Sequence, residues 1–272
     1  MDWICADASG LPRIITMTNS PAVRAAALRA LHRPGDPLVL PNAWDVGSAR
    51  AVVEAGFGAV ATASAAVSQS LGYADGEGTP AGEMFAAVSR ISRAVTVPVT
   101  ADLERGYGLP PAELVQRLLD AGAVGLNLED SAPHDGALVE PQEQAELLAG
   151  VRAAADAAGV PIVINARTDV FLRQHGEPAG RLDEAIRRAR RYLAAGADCV
   201  YPIMLADPAE LRTFVEAVAA PVNVLAHPAA PAPAELAALG VARISYGPGL
   251  YAATHAHTAR LLASIAAGDV LA

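Results

Sequence analysis

The stretch VPVTADLERGYGLPPAELVQRLLDAGAVGLNLEDS, residues 97–131, decides the fold. It begins with a short apolar run, continues with a pattern typical of an amphipathic helix, and ends in a second apolar run. Pro110 and Pro111 precede the helical pattern and Gly122 follows it, which is the order expected at the two ends of a helix. Neither apolar run alternates with polar residues, as is typical of parallel strands covered by helices. The stretch therefore predicts a β–α–β unit.

The same order of apolar run and helical pattern recurs along the whole chain. Eight apolar runs are predicted as strands: residues 37–45, 58–64, 97–104, 123–131, 160–169, 198–204, 220–227 and 242–247. Eight such units in roughly 230 residues predict an α/β protein with the (β/α)8 architecture of a TIM barrel. An open doubly wound sheet is the alternative, but no G-x-G-x-x-G sequence follows the first predicted strand.

No linker or low-complexity segment divides the chain, so residues 17–272 are predicted to form a single domain. Residues 1–16 are predicted to be extended or disordered, or to derive from an upstream start codon. They lack the basic start and long apolar segment of a secretory signal.

Composition excludes several classes of partner and compartment. The net charge of −9 argues against nucleic acid as a partner, and no apolar run approaches the roughly 18 residues of a membrane span. The two cysteines, Cys5 and Cys199, form no close motif, so neither a disulfide framework nor a cysteine zinc site is expected. A reducing cytoplasm is the predicted location.

All 20 basic residues are arginine, and the chain contains no lysine. Schiff-base chemistry on a lysine is therefore excluded, and so is the lysine of a phosphate-binding P-loop.

Polar side chains collect at the carboxyl ends of the predicted strands, where TIM barrels carry their chemistry. In chain order these residues are Asn42, Trp44, Asp45, Ser64, Asp102, Glu104, Glu129, Asp130, Asn165, Arg167, Asp169, His227 and Tyr246. Acids from the third and fourth strands thus face an arginine from the fifth. An active site is predicted at this end of the barrel.

Asp102 and Glu104 are two residues apart, so on a strand both side chains would point the same way. Two buried carboxylates that close repel each other unless a proton or a cation lies between them. Mg²⁺ suits this pair because it prefers oxygen ligands and keeps several waters. The alternative is that Glu104 simply pairs with Arg105 or Arg167.

Arg167 can bind a substrate carboxylate through two parallel hydrogen bonds, or can form an ion pair with a neighbouring acid. Asn165 on the same predicted strand is a further candidate for substrate binding. Tyr107, between two glycines, is either a site residue or a loop packing residue. His227 and His134 are weaker catalytic candidates, and His134 lies in a loop long enough to act as a lid.

Five segments carry a family resemblance: LPNAWDVGSARAVVEAGFGAVATAS, SLGYADGE, PVTADLERGYG, GLNLEDS and INARTDVFL. Together, over residues 37–250, the chain resembles the isocitrate lyase/phosphoenolpyruvate mutase superfamily. The resemblance implies an α/β barrel and a Mg²⁺-dependent reaction, with Mn²⁺ as a substitute, of a 2-oxo acid or its enolate.

The resemblance also implies roles for individual residues. Asp102 matches the direct metal ligand, and three further acids match residues that hold metal-bound waters: Glu104, Glu129 and Asp75. Arg167 matches the arginine that binds the substrate carboxylate. Other substrate contacts match Ala63, Ser64, Ala65 and the aromatic wall residue Trp44. Family members form tetramers in which the last helix swaps between paired subunits. The segment GLYAATHAHTARLLASIA is the matching helix here, so a homotetramer or a homodimer is expected.

One loop departs from the resemblance. Isocitrate and methylisocitrate lyases carry K-K-C-G-H after the acid of the fourth strand, and phosphonopyruvate enzymes carry a lysine there. This chain has EDSAPHDGALVEP, with neither cysteine nor lysine. The part of the site that stabilises an enolate is therefore kept, while the known proton-transfer residues are absent.

These observations predict a Mg²⁺-dependent carbon–carbon lyase or decarboxylase. Its substrate would be a small 2-oxo or 2-hydroxy di- or tricarboxylate that reacts through an enolate. The proton donor is left open among His134, Tyr107 and His227. Two alternatives remain: a mutase or hydrolase of phosphonopyruvate-type compounds, and a 2-oxo acid binding protein with little catalysis.

Overall fold

The computed structural model describes residues 20–133 and 135–270. Its strands are β1 (Leu38–Leu40), β2 (Asn42–Ala43), β3 (Val60–Thr62), β4 (Val99–Asp102), β5 (Gly125–Glu129), β6 (Val163–Thr168), β7 (Cys199–Pro202), β8 (Asn223–Leu225) and β9 (Arg243–Ser245). Its α-helices are α1 (Pro21–Ala30), α2 (Val46–Glu54), α3 (Ser64–Leu71), α4 (Ala81–Ala94), α5 (Pro111–Asp120), α6 (Pro141–Ala157), α7 (Arg181–Ala194), α8 (Pro208–Val218), α9 (Pro233–Ala238) and α10 (Gly249–Ala266).

The strands form a closed ring of parallel neighbours. Strands β2 to β7 pair in chain order, and β8 pairs with β9, which pairs with β1. A bridge between Val200 and Val222 joins β7 to β8, and Pro41 alone separates β1 from β2. Proline has no backbone N–H, so the ladder is interrupted there although the chain runs on. The ring therefore has eight positions, and the predicted (β/α)8 barrel is confirmed.

Helix α1 covers the end of the barrel where the strands begin. Leu28 is buried and lies against Gly125, where a Cβ atom would come within 2.7 Å of the Leu28 Cδ2 atom. Arg29 forms an ion pair with Asp198 and donates a hydrogen bond to the carbonyl of Ile162 at 3.1 Å. Because α1 closes this end, access to the barrel interior is from the opposite end, where the strands finish.

The third barrel strand ends earlier than predicted. Strand β4 stops at Asp102, and Glu104 has a positive φ of 52° in the turn that follows. The spacing predicted that Asp102 and Glu104 would share one face of a strand. This prediction is wrong, because Glu104 lies beyond the end of β4. The turn includes Gly106, whose φ of 94° suits glycine, and this left-handed run redirects the Glu104 side chain.

Helix α10 buries none of its residues in the single chain. Its aromatic residue Tyr251 packs edge-on against Trp44, with ring centroids 5.1 Å apart. Among the described residues, no helix is both long and apolar enough to cross a membrane. Residues 1–16, Cys5 and His134 lie outside the described part of the chain.

Candidate active site

A cavity of about 240 Å³ opens at the carboxyl ends of the strands. Its lining is mixed, with polar groups toward the barrel axis and aliphatic groups on one wall. The lining residues are Asn42, Ala63, Ser64, Ala65, Asp75, Asp102, Asn127, Arg167, Leu172, Tyr201, Ile203, Met204, Leu225, Ser245, Gly247 and Pro248. Six of the residues predicted for the site therefore meet in one space: Ala63, Ser64, Ala65, Asp75, Asp102 and Arg167.

Asp102 is held in place by donors from both sides. Its Oδ2 atom accepts hydrogen bonds from the Ser64 backbone N–H at 2.9 Å and from the Ser64 hydroxyl at 3.0 Å. Its Oδ1 atom accepts a hydrogen bond from the Asn127 amide at 3.3 Å. Among the described residues, the Oδ1 atom keeps a lone pair that faces no protein donor.

A buried amide and guanidinium layer supports Asp102 from below. Asn127 accepts hydrogen bonds at its Oδ1 atom from Asn165 at 2.8 Å and from Arg243 at 3.2 Å. Arg243 is fully buried, and burial lowers its pKa. Asn165 lies in this layer rather than on the cavity wall. Asn127 and Arg243 were missed by sequence reasoning, although Asn127 lies two residues before Glu129 and points to the same side of its strand.

Glu104 lies in the turn after β4, where it accepts two hydrogen bonds. The Tyr107 hydroxyl donates to it at 2.9 Å, and the Glu77 backbone N–H donates to its other oxygen. Burial raises the pKa of Glu104 to about 7, and repulsion from Asp75 adds to this rise. Within the described residues Glu104 pairs with neither Arg105 nor Arg167, because Arg105 binds Glu143 at 2.6 Å and Arg167 binds Glu129 at 2.7 Å.

Arg167 joins two acids beside the cavity. It contacts Glu129 at 2.7 Å and holds Asp169 through two hydrogen bonds of 2.6 and 3.0 Å. Burial alone would lower the pKa of Arg167, but the attraction of these two carboxylates outweighs it and raises the pKa. Burial also raises the pKa of Glu129, and Arg167 opposes that rise. Three of the five guanidinium N–H groups are thus engaged, which leaves two for a ligand.

Asp130 is buried outside the cavity lining, where its hydrogen bonds stabilise the fold. Its carboxylate accepts hydrogen bonds from the Tyr192 hydroxyl at 2.7 Å and from Arg188 at 3.0 Å. Its other oxygen accepts one from the Asp169 backbone N–H at 2.8 Å. The loop that follows folds back on itself, with Ser131 bridged to Leu138. That this loop closes as a lid stays a prediction.

Asp75 lies at the rim of the cavity, in the loop after α3. Loss of solvation raises the pKa of its carboxyl, and repulsion from Asp102 adds to the effect. Asp75, Asp102, Glu104 and Glu129 therefore concentrate negative charge around one end of the cavity.

Besides Asn165, Glu104 and Glu129, three further predicted residues are absent from this lining. Trp44 lines a groove together with residues of α2 and α10, and it packs against Tyr251. Tyr107 is engaged with Glu104. His227 follows β8, and its Nδ1 atom accepts a hydrogen bond from the Ala229 backbone N–H at 3.3 Å.

Tyr201 and Ser245 line the cavity but were missed by sequence reasoning. Tyr201 lies on β7 beside Arg167 of β6, within hydrogen-bonding reach of Ser245. The signal was the segment DCVYPIM, in which a tyrosine stands at a predicted strand end.

The residues around the cavity fit a hard divalent cation that keeps most of its waters. No three His, Cys, Asp or Glu side chains converge closely enough to ligate one ion within residues 20–133 and 135–270. Mg²⁺ needs only one or two direct carboxylates. The free lone pair of Asp102 and the raised pKa values of its neighbouring acids are the two observations that favour such an ion.

A (β/α)8 barrel with clustered acids and an arginine at the carboxyl ends of its strands defines the class of this protein. The model of the phosphoenolpyruvate phosphomutase family matches residues 28–266. The chain therefore belongs to this family, within the phosphoenolpyruvate mutase/isocitrate lyase superfamily, and the predicted resemblance is confirmed.

Curated relatives include both lyases and uncharacterized proteins. An uncharacterized protein of Mycobacterium tuberculosis H37Rv is 37% identical over 83% of this chain and 85% of its own length. A probable 2-methylisocitrate lyase of Corynebacterium glutamicum is 34% identical over 74% of this chain and 66% of its own. An oxaloacetate decarboxylase of Rhodopseudomonas palustris is 34% identical over 73% of this chain and 69% of its own length.

Solved structures extend the similarity to the whole barrel. A protein of Burkholderia cenocepacia J2315, described as a "putative phosphonomutase", superposes with a TM-score of 0.85 at 46% identity, over 88% of this chain and 98% of that one. A 2,3-dimethylmalate lyase superposes with a TM-score of 0.78 at 28% identity, over 90% and 87%. Members of the superfamily thus include lyases and phosphonomutases.

Proposed function

We propose that this protein is a Mg²⁺-dependent carbon–carbon lyase or decarboxylase. Its substrate is a small 2-oxo or 2-hydroxy di- or tricarboxylate, which reacts through an enolate. The observation that carries this proposal is the pairing of Asp102, with its free lone pair, and Arg167, with two free N–H groups, on the wall of one cavity.

Asp102 would hold the metal directly, while Glu104, Glu129 and Asp75 would hold its waters. Mn²⁺ would be accepted at the same oxygen ligands. When bound, the cation supplies Lewis-acid stabilisation of the negative charge on an enolate. The Ser64 N–H and hydroxyl keep the Asp102 carboxylate oriented for this role.

Arg167 would bind a substrate carboxylate through its remaining N–H groups. Glu129 and Asp169 hold the guanidinium plane fixed, so little side-chain entropy is lost when substrate binds. Ala63, Ser64 and Ala65 also line the cavity, and backbone groups of this segment would contact the substrate.

The aliphatic wall suggests an alkyl substituent on the substrate. Leu172, Ile203, Met204 and Leu225 line one side of the cavity and offer no charged partner. A methyl or ethyl branch would be favoured there by burial of its surface, at about 0.8 kcal/mol per CH₂ group. The lyase names of the relatives, including 2-methylisocitrate and 2,3-dimethylmalate lyase, are consistent with this substrate class.

The test is a substrate panel with purified protein and Mg²⁺. Oxaloacetate, 2-methylisocitrate, 2,3-dimethylmalate and phosphonopyruvate are each incubated, and release of a 2-oxo acid is followed by NMR. We expect turnover of at least one carboxylate, and loss of that turnover by at least about 100-fold in Asp102→Asn, because several kcal/mol of charge stabilisation are removed.

Asp120→Asn is the matched control. Asp120 lies exposed at the end of α5 and accepts a hydrogen bond only from Gln116 among its described contacts. This variant should keep full activity. Turnover by Asp102→Asn at the wild-type rate would contradict the metal role, and circular dichroism checks that both variants are folded.

A phosphonopyruvate-type mutase or hydrolase is the second candidate, because the solved structure at 46% identity is described as a "putative phosphonomutase". The absence of lysine from the chain speaks against it. Phosphorus-31 NMR of the phosphonopyruvate reaction distinguishes the two. Tight binding of oxalate without turnover of any compound would instead favour a 2-oxo acid binding protein.

We also propose a cytoplasmic homotetramer or homodimer in which α10 packs on a partner subunit. Leu262 and Ile265 of this helix are 60% and 46% exposed. Beside it, an apolar groove of about 500 Å³ is lined by Trp44, Phe57 and Leu250 among others. A partner helix could cover both surfaces at once.

A further inference from the structure

The proposed reaction needs a proton donor, and the cavity offers few groups that can serve. Bond cleavage leaves an enolate whose carbon must take up a proton. Among the described residues that line the cavity, the side chains with a titratable group are Asp75, Asp102, Arg167 and Tyr201. A proton donor that contacts a bound substrate therefore belongs to this set of four residues.

The two acids and the arginine are poorly suited to this task. Asp102 accepts three hydrogen bonds from fixed donors and is the proposed direct ligand of the metal. Arg167 is bound by Glu129 and Asp169 and keeps its proton. Asp75 is exposed, and in the proposed function it holds a metal-bound water.

The donors that the sequence suggested are located elsewhere. The Tyr107 hydroxyl donates its proton to Glu104, and neither residue lines the cavity. His227 follows β8 outside the lining, with its Nδ1 atom bound to the Ala229 backbone. His134 lies outside the described part of the chain.

Tyr201 is held at the cavity wall by the strands on either side. On β6, Arg167 is its partner in the strand register. From β9, Ser245 lies within hydrogen-bonding reach of the phenol. Ser245 is in turn fixed by Asn223, at 3.2 and 3.3 Å. The ring is 4% exposed, so its position is set by packing and its hydroxyl is the polar end.

The charges around Tyr201 suit a residue that gives up a proton and takes it back. A phenol is protonated at neutral pH, and burial raises the pKa of Tyr201 further, so the phenolate left after transfer would readily regain a proton. Arg167 and Arg243 oppose that rise and would stabilise the phenolate formed after transfer. The Ser245 hydroxyl donates its one proton to Asn223 Oδ1, so it would have to rotate to donate to the phenolate oxygen.

We propose that Tyr201 is the catalytic residue that protonates the enolate carbon. This inference rests on the proposed function. In the decarboxylation of a 2-oxo dicarboxylate, carbon dioxide leaves and the electron pair of the broken carbon–carbon bond becomes the enolate of the 2-oxo acid product. A new C–H bond then forms with the Tyr201 proton, and the phenolate recovers a proton from water. No oxidant, reductant or co-reactant is needed.

The test measures proton transfer separately from bond cleavage. The 2-oxo acid product is incubated with enzyme and Mg²⁺ in D₂O, and exchange of its C3 hydrogens is followed by proton NMR. Tyr201→Phe should slow this exchange by about 100-fold or more, the usual contribution of a general acid. Calorimetry with oxalate, which has no exchangeable carbon, should give wild-type affinity.

Tyr73→Phe is the matched control, because its hydroxyl bonds Glu83 at the surface. It should exchange at the wild-type rate. Ser245→Ala supplies a second variant should Tyr201→Phe fold poorly, and we expect it to slow exchange by about 3- to 10-fold at unchanged oxalate affinity. Exchange by Tyr201→Phe within threefold of wild type overturns the assignment.

The two proposals fail in different ways. If the wild-type protein neither turns over a carboxylate nor catalyses exchange, the proposed function is wrong and the role of Tyr201 is lost with it. If the wild type is active and Tyr201→Phe, or Ser245→Ala in its place, matches it in exchange, the inference on Tyr201 alone is wrong.

Discussion

His32 is a buried histidine at the closed end of the barrel, just after α1. Its Nδ1 atom bonds the Leu28 carbonyl at 2.9 Å, so this nitrogen carries the proton of the neutral ring. Burial lowers the pKa of His32 to about 4, and the nearby charges of Arg243 and Arg29 act in the same direction. A proton added to this ring would thus be unfavourable in the folded state.

The stability of the protein should therefore fall on acidification through this residue. Between pH 6.5 and 4 the unfolded chain binds a proton at His32 and the folded chain does not. The free energy of unfolding therefore decreases by up to about 3 kcal/mol as the pH falls through this range. Above pH 6.5 this contribution is fully present. Urea unfolding at pH 7 and pH 4.5 measures the loss, and His32→Asn should reduce it.

The exposed His257 on α10 provides the comparison. His257→Asn should keep the wild-type difference in unfolding free energy between the two pH values. An equal difference in wild type and His32→Asn would show that other groups account for the acid sensitivity.

At the scale of residues, sequence could predict the acids but not what holds them. Asp102 and Arg167 were predicted as site residues because charged side chains at the carboxyl ends of barrel strands are typical of an active site. The support of Asp102 by Asn127 and Arg243 depends on contacts between strands separated by 116 residues in sequence. Tyr201 was hidden because a tyrosine next to Pro202 looks the same on a packed wall and on a cavity wall.

The turn after β4 is the element that orients the Glu104 side chain. Glu104, Gly106, Tyr107 and Gly108 all have positive φ values. A Cβ atom at Gly106 would lie 3.1 Å from the Leu114 Cδ2 atom. The turn thus needs glycine there both for its backbone conformation and for close packing on α5.

Gly106→Ala should lower the free energy of unfolding by about 1–2 kcal/mol, because an L-residue is strained in this conformation. Chemical denaturation provides the measurement. Gly82→Ala, in the first turn of α4 with open space around it, should be neutral or slightly stabilising. Equal stability of the two variants would contradict the account of this turn.

At the scale of elements, sequence predicted helices and strands better than their ends. The segment TADLERGYG has apolar residues up to Val99 and gives no local sign that β4 stops at Asp102. The left-handed conformation of Glu104 and Tyr107 is adopted because Glu77, from another loop, accepts the backbone N–H groups of Arg105 and Tyr107. No local pattern reports such a contact.

Among the described helices, α10 is a long one that buries none of its own residues in the single chain. It contains 18 residues and so extends about 27 Å along the barrel side. Apolar surface of this extent is usually buried in an interface. The proposed assembly would bury it against a partner subunit.

We expect the wild-type protein to form a dimer or tetramer by light scattering after gel filtration. Replacing Leu262 and Ile265 together with glutamate should shift the mass toward smaller species, because charge is costly inside an apolar interface. Thr258→Glu, on the same helix but at a polar exposed position, tests for a general effect of charge. A monomeric wild type would refute the proposed assembly.

At the scale of the whole molecule, sequence predicted the barrel because eight apolar runs and the lack of a nucleotide-binding motif left few alternatives. Covering of the barrel end by α1 was not foreseen, since the contact of Leu28 with Gly125 spans almost a hundred residues. The proposed swap of α10 cannot be seen in a single chain, because the surface that would cover this helix belongs to a second copy of the protein.

The ring of strands is not equally strong all the way round. Strands β7 and β8 meet through one bridge, and Pro202 and Pro221 at this seam have no N–H to offer. Local opening should therefore begin here, and the amides of Val200 and Asn223 should exchange with deuterium faster than those of β5. Tyr201 lies on this seam. Local opening of the barrel would therefore occur beside the residue that we expect to donate the proton, and water entering there could reprotonate its phenolate.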